Sequence, residues 1–190
     1  MDIKEQALEN LRAFHLATLA CNLDFFLLDG TLLGAVRDGD FCPNDWDDID
    51  VGVLDEDYYL VDDQVQLLEP LGFEKYKPLI FKDRLEGFGL KRGASHFDVI
   101  RVNRHPKRPE EAYNIGRISG KPFAFVYPSK HFDSFDEIEF HGMRILVPHD
   151  AEGWLDARYG DWRIPIPRPG FNWFKQSNSD SIRLDYDILS

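Results

Sequence analysis

The run Asp48-Ile49-Asp50-Val51-Gly52-Val53-Leu54 restricts the possible folds of this chain more than any other segment. Side chains two apart on a strand share a face. Read as a strand, the run turns Ile49 and Val51 to one side, where they must pack, and Asp48 and Asp50 to the other. Two carboxylates so placed repel each other unless they converge on a cation. Mg²⁺ suits them, because it takes oxygen ligands at about 2.0–2.1 Å and keeps waters and substrate phosphates in its shell. An EF-hand is excluded: counted from Asp45, position twelve is Glu56 as required, but position six is Asp50 where glycine is needed.

Around this strand the hydrophobic pattern alternates between helix and strand. Ile3, Ala7, Leu8, Leu11, Phe14 and Leu19 recur near helical spacing, which predicts a helix over 3–22 with Asp2 as its cap. Phe25-Phe26-Leu27-Leu28 reads as a short buried strand, and 31–36 as a short helix. A polar loop over 37–46 leads into the acidic strand. Residues 57–69 read as a helix ended by Pro70 and Gly72. Strands follow at 79–82, 86–91, 96–102, 113–118 and 122–126. A hairpin turns at His141-Gly142, and a last helix covers 150–159. Pro165, Pro167 and Pro169 forbid regular structure beyond it, and the polar stretch 175–190 is expected to be loosely held. With no internal repeat and no linker, the chain reads as one α+β domain over 1–170 with a C-terminal tail over 171–190.

Composition narrows the partners. The 190 residues carry 22 Lys plus Arg against 34 Asp plus Glu, a net charge of −12. That field repels polyanions, so no nucleic-acid partner is expected. Cys21 and Cys42 form no C-x-x-C pair and the six histidines have no zinc-finger spacing. The first ten residues are polar, unlike a signal peptide, and no apolar run reaches the roughly 20 residues of a membrane span. A soluble, cytoplasmic protein is the expectation.

Three further features accompany the acidic pair. Asp29-Gly30-Thr31 stands between a strand and a helix, where free amides at a helix start can hold a phosphate. Arg37 precedes the loop into the cluster and has the forked geometry for a phosphate. Asp98, in His96-Phe97-Asp98-Val99-Ile100, lies between apolar residues on a predicted strand, where a carboxylate is costly unless paired or coordinated. It is the candidate third carboxylate of a metal site, or a base.

Taken in order, Gly30-Thr31-Leu32-Leu33-Gly34-Ala35-Val36-Arg37, Phe41-Cys42-Pro43 and Trp46-Asp47-Asp48-Ile49-Asp50-Val51 resemble the signature of LicD/fukutin-type phosphotransferases. Phe97-Asp98-Val99-Ile100 resembles that family's third-carboxylate strand. The run from Phe135 to Tyr159-Gly160-Asp161-Trp162 resembles its C-terminal signature, so the likeness spans about residues 24 to 167. Two departures stand out. Asn44 and Asp45 fall between Pro43 and Trp46, and Asp38-Gly39-Asp40 replaces a usually basic segment.

The resemblance implies a nucleotidyltransferase-like mixed β-sheet flanked by helices, with Asp48, Asp50 and Asp98 as catalytic metal ligands for Mg²⁺ or Mn²⁺. It implies that Gly30, Thr31, Gly34 and Arg37 hold donor phosphates and that Tyr159 and Asp161 shape the site. The donor would be a CDP-linked small molecule and the acceptor a glycan or sugar, with a phosphorylated alcohol such as phosphocholine or ribitol phosphate transferred. Two alternatives remain at this stage. One is a true nucleotidyltransferase, which leaves the nucleoside monophosphate on its product. The other is a non-catalytic metal- or glycan-binding module.

Overall fold

A computed structural model describes residues 2–43, 45–166 and 176–189. Helix α1 (Ile3–Cys21) buries Ala7, Leu11, Phe14 and Ala17 on one face. The Glu5 side chain accepts from the Asp2 amide at its start (3.2 Å), and Asn22 ends it in the left-handed region at φ 55°. Strand β1 (Phe26–Leu27), helix α2 (Asp29–Asp38) and strand β2 (Asp48–Leu54) follow. The helix expected over 57–69 divides into a 3-10 segment, Asp55–Leu60, and α3 (Val61–Leu68). The strand-rich part comprises β3 (Glu74–Phe81), β4 (Arg84–Arg92), β5 (Ser95–Arg104), β6 (Glu111–Ile118), β7 (Lys121–Pro128), β8 (Phe135–Phe140) and β9 (Met143–Pro148). Helix α4 (Ala151–Tyr159) and a two-residue strand, β10 (Ile182–Arg183), complete the described elements.

The strands join in the order β10-β7-β6-β5-β2-β1-β9-β8, with β4 and then β3 branching from β5. The branch arises because β5 is long. Its first part lies between β2, in parallel, and β4, antiparallel, while Asn103 and Arg104 at its end pair with β6. The α+β class and the mixed sheet with flanking helices match the expectation. The core is aromatic: Trp154, Phe14, Phe26, Phe97, Phe132 and Phe140 are fully buried, and Phe14 stacks on Phe97 at 4.6 Å. No described helix is long and apolar enough to cross a membrane.

Two elements depart from the sequence pattern. Strand β3 starts at Glu74, five residues before the expected 79, although its sequence holds charged residues and Pro78. Among the described residues it pairs only with β4, and its register slips between Tyr76 and Leu79. An edge strand tolerates lysines and a proline because one row of its backbone groups faces solvent. The tail expected to be loose is instead tied down over 176–189. Ile182 and Arg183 pair with Phe125 and Ala124, Tyr186 is buried, and Arg108 grips Asp187 at 2.7 Å.

Close approach fixes one glycine of the central strand. A Cβ on Gly52 would collide with the ring of Phe26, its partner across the β1–β2 ladder. Gly52→Ala is expected to cost about 1–3 kcal/mol, the usual range for overpacking. Urea unfolding should show a lower midpoint with the slope unchanged.

Candidate active site

The parallel β2–β5 ladder sets Asp48 opposite His96 and Asp50 opposite Asp98. Residues opposite one another share a face, so these four side chains form a two-by-two square on the sheet. On the other face Ile49 meets Phe97 and Val51 meets Val99, all buried. Apolar burial therefore fixes the register, and the register brings the carboxylates together; a slip by one residue would bury the acids. The Asp47 carbonyl accepts from the His96 amide at 2.8 Å and extends the ladder to the edge of the square.

Asp50 is held from two directions. Its Oδ2 accepts from the Gly30 amide at 2.8 Å, and its own amide donates to Thr31 Oγ1 at 2.9 Å. Both partners come from the first turn of α2, where backbone amides have no helical acceptor. The donor that the sequence pointed to at a helix start is thus present, and it is engaged with a carboxylate of the chain itself. Burial, then the charges of Asp48, Asp29 and Asp98, push the Asp50 carboxyl well above the usual range. Asp98 reaches solvent yet sits deep in the cleft; burial, then Asp48, raises it to about 6. His96 Nε2 lies 3.1 Å from Asp48 Oδ1, and that carboxylate holds the imidazole toward its charged form.

The square opens into a cleft of about 440 Å³. Its lining includes Asp29, Gly30 and Asp45, and also Lys77, Asn114 and Arg117. Tyr159 lines it too, half-buried, with the Arg158 guanidinium over its ring at 4.6 Å. Thr31, Gly34, Arg37 and Asp161 are not part of its lining. Thr31 acts through Asp50. A Cβ on Gly34 would sit 2.5 Å from the Asp40 carbonyl and the Cys42 amide, so this glycine lets the loop lie against α2. Arg37 is turned to Asp38, at 2.7 and 2.9 Å, and to the Trp162 carbonyl at 3.3 Å. Asp161 is exposed just beyond α4. Trp162 is buried and donates to Asp156 at 2.8 Å, the position of a packing residue.

One contact of the site, between Asp29 and Arg158, was not foreseen in the sequence. Asp29 opens α2 at φ 40°, uncommon for a residue with a side chain, and its Oδ1 accepts from Arg158 Nε at 2.6 Å. Arg158 is almost wholly buried, stacks on Phe125 at 3.9 Å and donates to Ser177 Oγ. Asp29 and Arg158 are 129 positions apart, so no local spacing links them. His96 did carry a signal, since it stands two residues from Asp98 on the same predicted strand.

A family model described as "LicD/FKTN/FKRP, nucleotidyltransferase domain" matches residues 22–150. A curated relative, the uncharacterized protein RP689 of Rickettsia prowazekii (strain Madrid E), is 28% identical over 145 residues, which are 74% of this chain and 49% of that protein. The chain thus spans about half the length of the curated relative it matches. Among solved structures, a crystal structure of ANT(2")-Ia with adenylyl-2"-tobramycin is similar at 17% identity and TM-score 0.48, over 76% of this chain and 69% of that one. A solution structure of ANT(2'')-Ia gives 18% identity and TM-score 0.49, over 78% and 66%.

The Arg158–Asp29 pair is testable by stability. Arg158→Met leaves Asp29 charged and uncompensated and is expected to cost about 3–5 kcal/mol. Adding Asp29→Asn should restore part of that loss in chemical denaturation.

The carboxylates set a pH dependence. Asp98 binds its proton in the folded state up to about pH 6, whereas an unfolded Asp releases it near 3.9. Between those values the native state holds more protons, so stability falls as pH rises through the window. Asp50 acts with the same sign, and so does His96, whose raised value adds stability that is lost at higher pH. In chelator, the melting temperature should be higher at pH 5 than at pH 7, and Asp98→Asn should flatten the difference.

Proposed function

Because the chain belongs to the LicD/FKTN/FKRP nucleotidyltransferase-domain family, we propose that it is a divalent-metal-dependent transferase that moves a phosphorylated alcohol from a CDP-linked donor to a glycan or sugar hydroxyl. The observation that carries this reading is the convergence of Asp48, Asp50 and Asp98 on one face of two paired strands, lining one cleft.

The donor set suits a hard cation. The charges of Asp48 and Asp29 lie close enough to raise the proton affinity of Asp50 and Asp98, and Asp48 Oδ1 is sealed from solvent. Carboxylates crowded in this way are costly without a counter-charge. Asp48, Asp50 and Asp98 would hold the metal, which when bound neutralises charge on the donor's diphosphate.

The chain's own residues supply position. Gly30 and Thr31 orient Asp50. Arg158 compensates Asp29 and keeps the start of α2 against the sheet. Asp98, which opens to the cleft beside Asp50, would take the proton of the acceptor hydroxyl. In that reaction the hydroxyl oxygen bonds to the β-phosphorus in line, the bond from that phosphorus to the bridging oxygen breaks, and CMP leaves with the electron pair. With Gly30, Thr31 and Arg37 engaged within the chain, Lys77, which lines the same cleft, would serve the donor's phosphates.

The test combines variants with product analysis. Asp48→Asn and Asp50→Asn should each abolish transfer from CDP-linked donors, with far-UV circular dichroism unchanged. Turnover retained by both would overturn the assignment. Free CMP among the products supports the reading. A product carrying the nucleoside monophosphate would instead make the protein a true nucleotidyltransferase built on the same carboxylates.

A further inference from the structure

Three of the four corners of the β2–β5 square are carboxylates, but the fourth is an imidazole. His96 Nε2 stands 3.1 Å from Asp48 Oδ1. One donor atom each from Asp48, His96 and Asp98 fall within 4.8 Å of one another. Among the described residues this is the one group of three or more His, Cys, Asp or Glu side chains with that spacing. Adjacent ligands about 2.1 Å from an octahedral ion are about 3.0 Å apart, and opposite ones about 4.2 Å. The spread of the three atoms is therefore close to that of a single coordination sphere.

The backbone holds His96 in this place. It is paired with Asp48 in the parallel ladder and with Lys91 across β4, and its amide is bonded to the Asp47 carbonyl. The Tyr76 ring stands edge-on beside it at 6.2 Å. Asp50, by contrast, already spends one carboxylate oxygen on the Gly30 amide.

We propose that His96 is a ligand of the cation together with Asp48 and Asp98, making a mixed nitrogen–oxygen site that prefers a first-row transition ion such as Mn²⁺ to Mg²⁺. The proposal rests on the metal reading above and adds to it the identity of a ligand and the class of ion. Mg²⁺ gives up its water oxygens reluctantly, whereas imidazole nitrogen binds increasingly well along the first transition row. The competing role for His96 is that of a cationic counter-charge to the acids, displaced when the metal arrives. The two roles differ in one observable: a ligand nitrogen is magnetically coupled to the bound ion, and a displaced imidazolium is not.

Mn²⁺ is the probe. Pulsed electron paramagnetic resonance of the full chain loaded with Mn²⁺ should show modulation from a directly bound ¹⁴N, which changes to the ¹⁵N pattern in histidine-labelled protein. His96→Gln should remove the modulation and weaken Mn²⁺ binding by on the order of tenfold, with a smaller effect on Mg²⁺ measured by competition. If that variant does not fold, the labelled native protein still decides whether nitrogen is bound. Mn²⁺ bound without nitrogen modulation, or Mg²⁺ competing on equal terms, overturns this proposal and leaves the carboxylate site standing. Failure of the native protein to bind Mn²⁺ or Mg²⁺ at all overturns both.

Discussion

Asp50 is anchored by two hydrogen bonds, one from the Gly30 amide to its carboxylate and one from its own amide to the Thr31 hydroxyl. Much of the site depends on this anchorage. The Gly30 amide opposes part of the rise in proton affinity that burial and the charges of Asp48, Asp29 and Asp98 impose on this carboxyl. The helix start supplies a donor at no cost to its own ladder, because the first amides of a helix have no intrahelical partner. The strand supplies the rest: Ile49 and Val51 are wholly buried, so β2 cannot slide. At Asp50, mutually repelling charges are held in place by a backbone amide, a hydroxyl and apolar burial.

The same logic extends to α4. Arg158 reaches back to Asp29 and also stacks on Phe125, so its cation is matched by one carboxylate and one aromatic face. A buried pair of this kind adds little net stability, since desolvation offsets the attraction, but it makes departure from the arrangement expensive. It also joins the last long helix to the first turn of α2. Residues far apart in the chain therefore meet at one place, with Tyr159 against the cleft.

Much of the fold was legible in the sequence, for reasons that differ by element. α1 follows helical periodicity, and β2 and β5 follow alternation, because each buries one face against a common core, while the β8–β9 hairpin was legible from its His141-Gly142 turn. β3 was legible only in part. Its first residues are exposed and basic, and only pairing with β4 makes them a strand. β10 was illegible, since two residues carry no period and β7 recruits them. At the site, Asp48 and Asp50 were legible as a facing pair because two residues along a strand is a fixed geometry. Gly30 and Thr31 were legible as special, but not the group they bind.

From sequence alone came everything that local repetition encodes: the acidic face of β2, the isolated carboxylate on β5, the Gly-Thr turn, and the family signature that orders them. Only the tertiary structure decided which of these meet. It set Asp98 beside Asp50 and His96 beside Asp48 through the register of a parallel ladder between strands 48 positions apart. It turned Arg37 away from the cleft and brought Arg158 in. The physical reason is that burial of apolar faces selects the register over the whole strand at once. The polar side chains on the opposite face are carried into contact by that selection, and no spacing within either strand contains it.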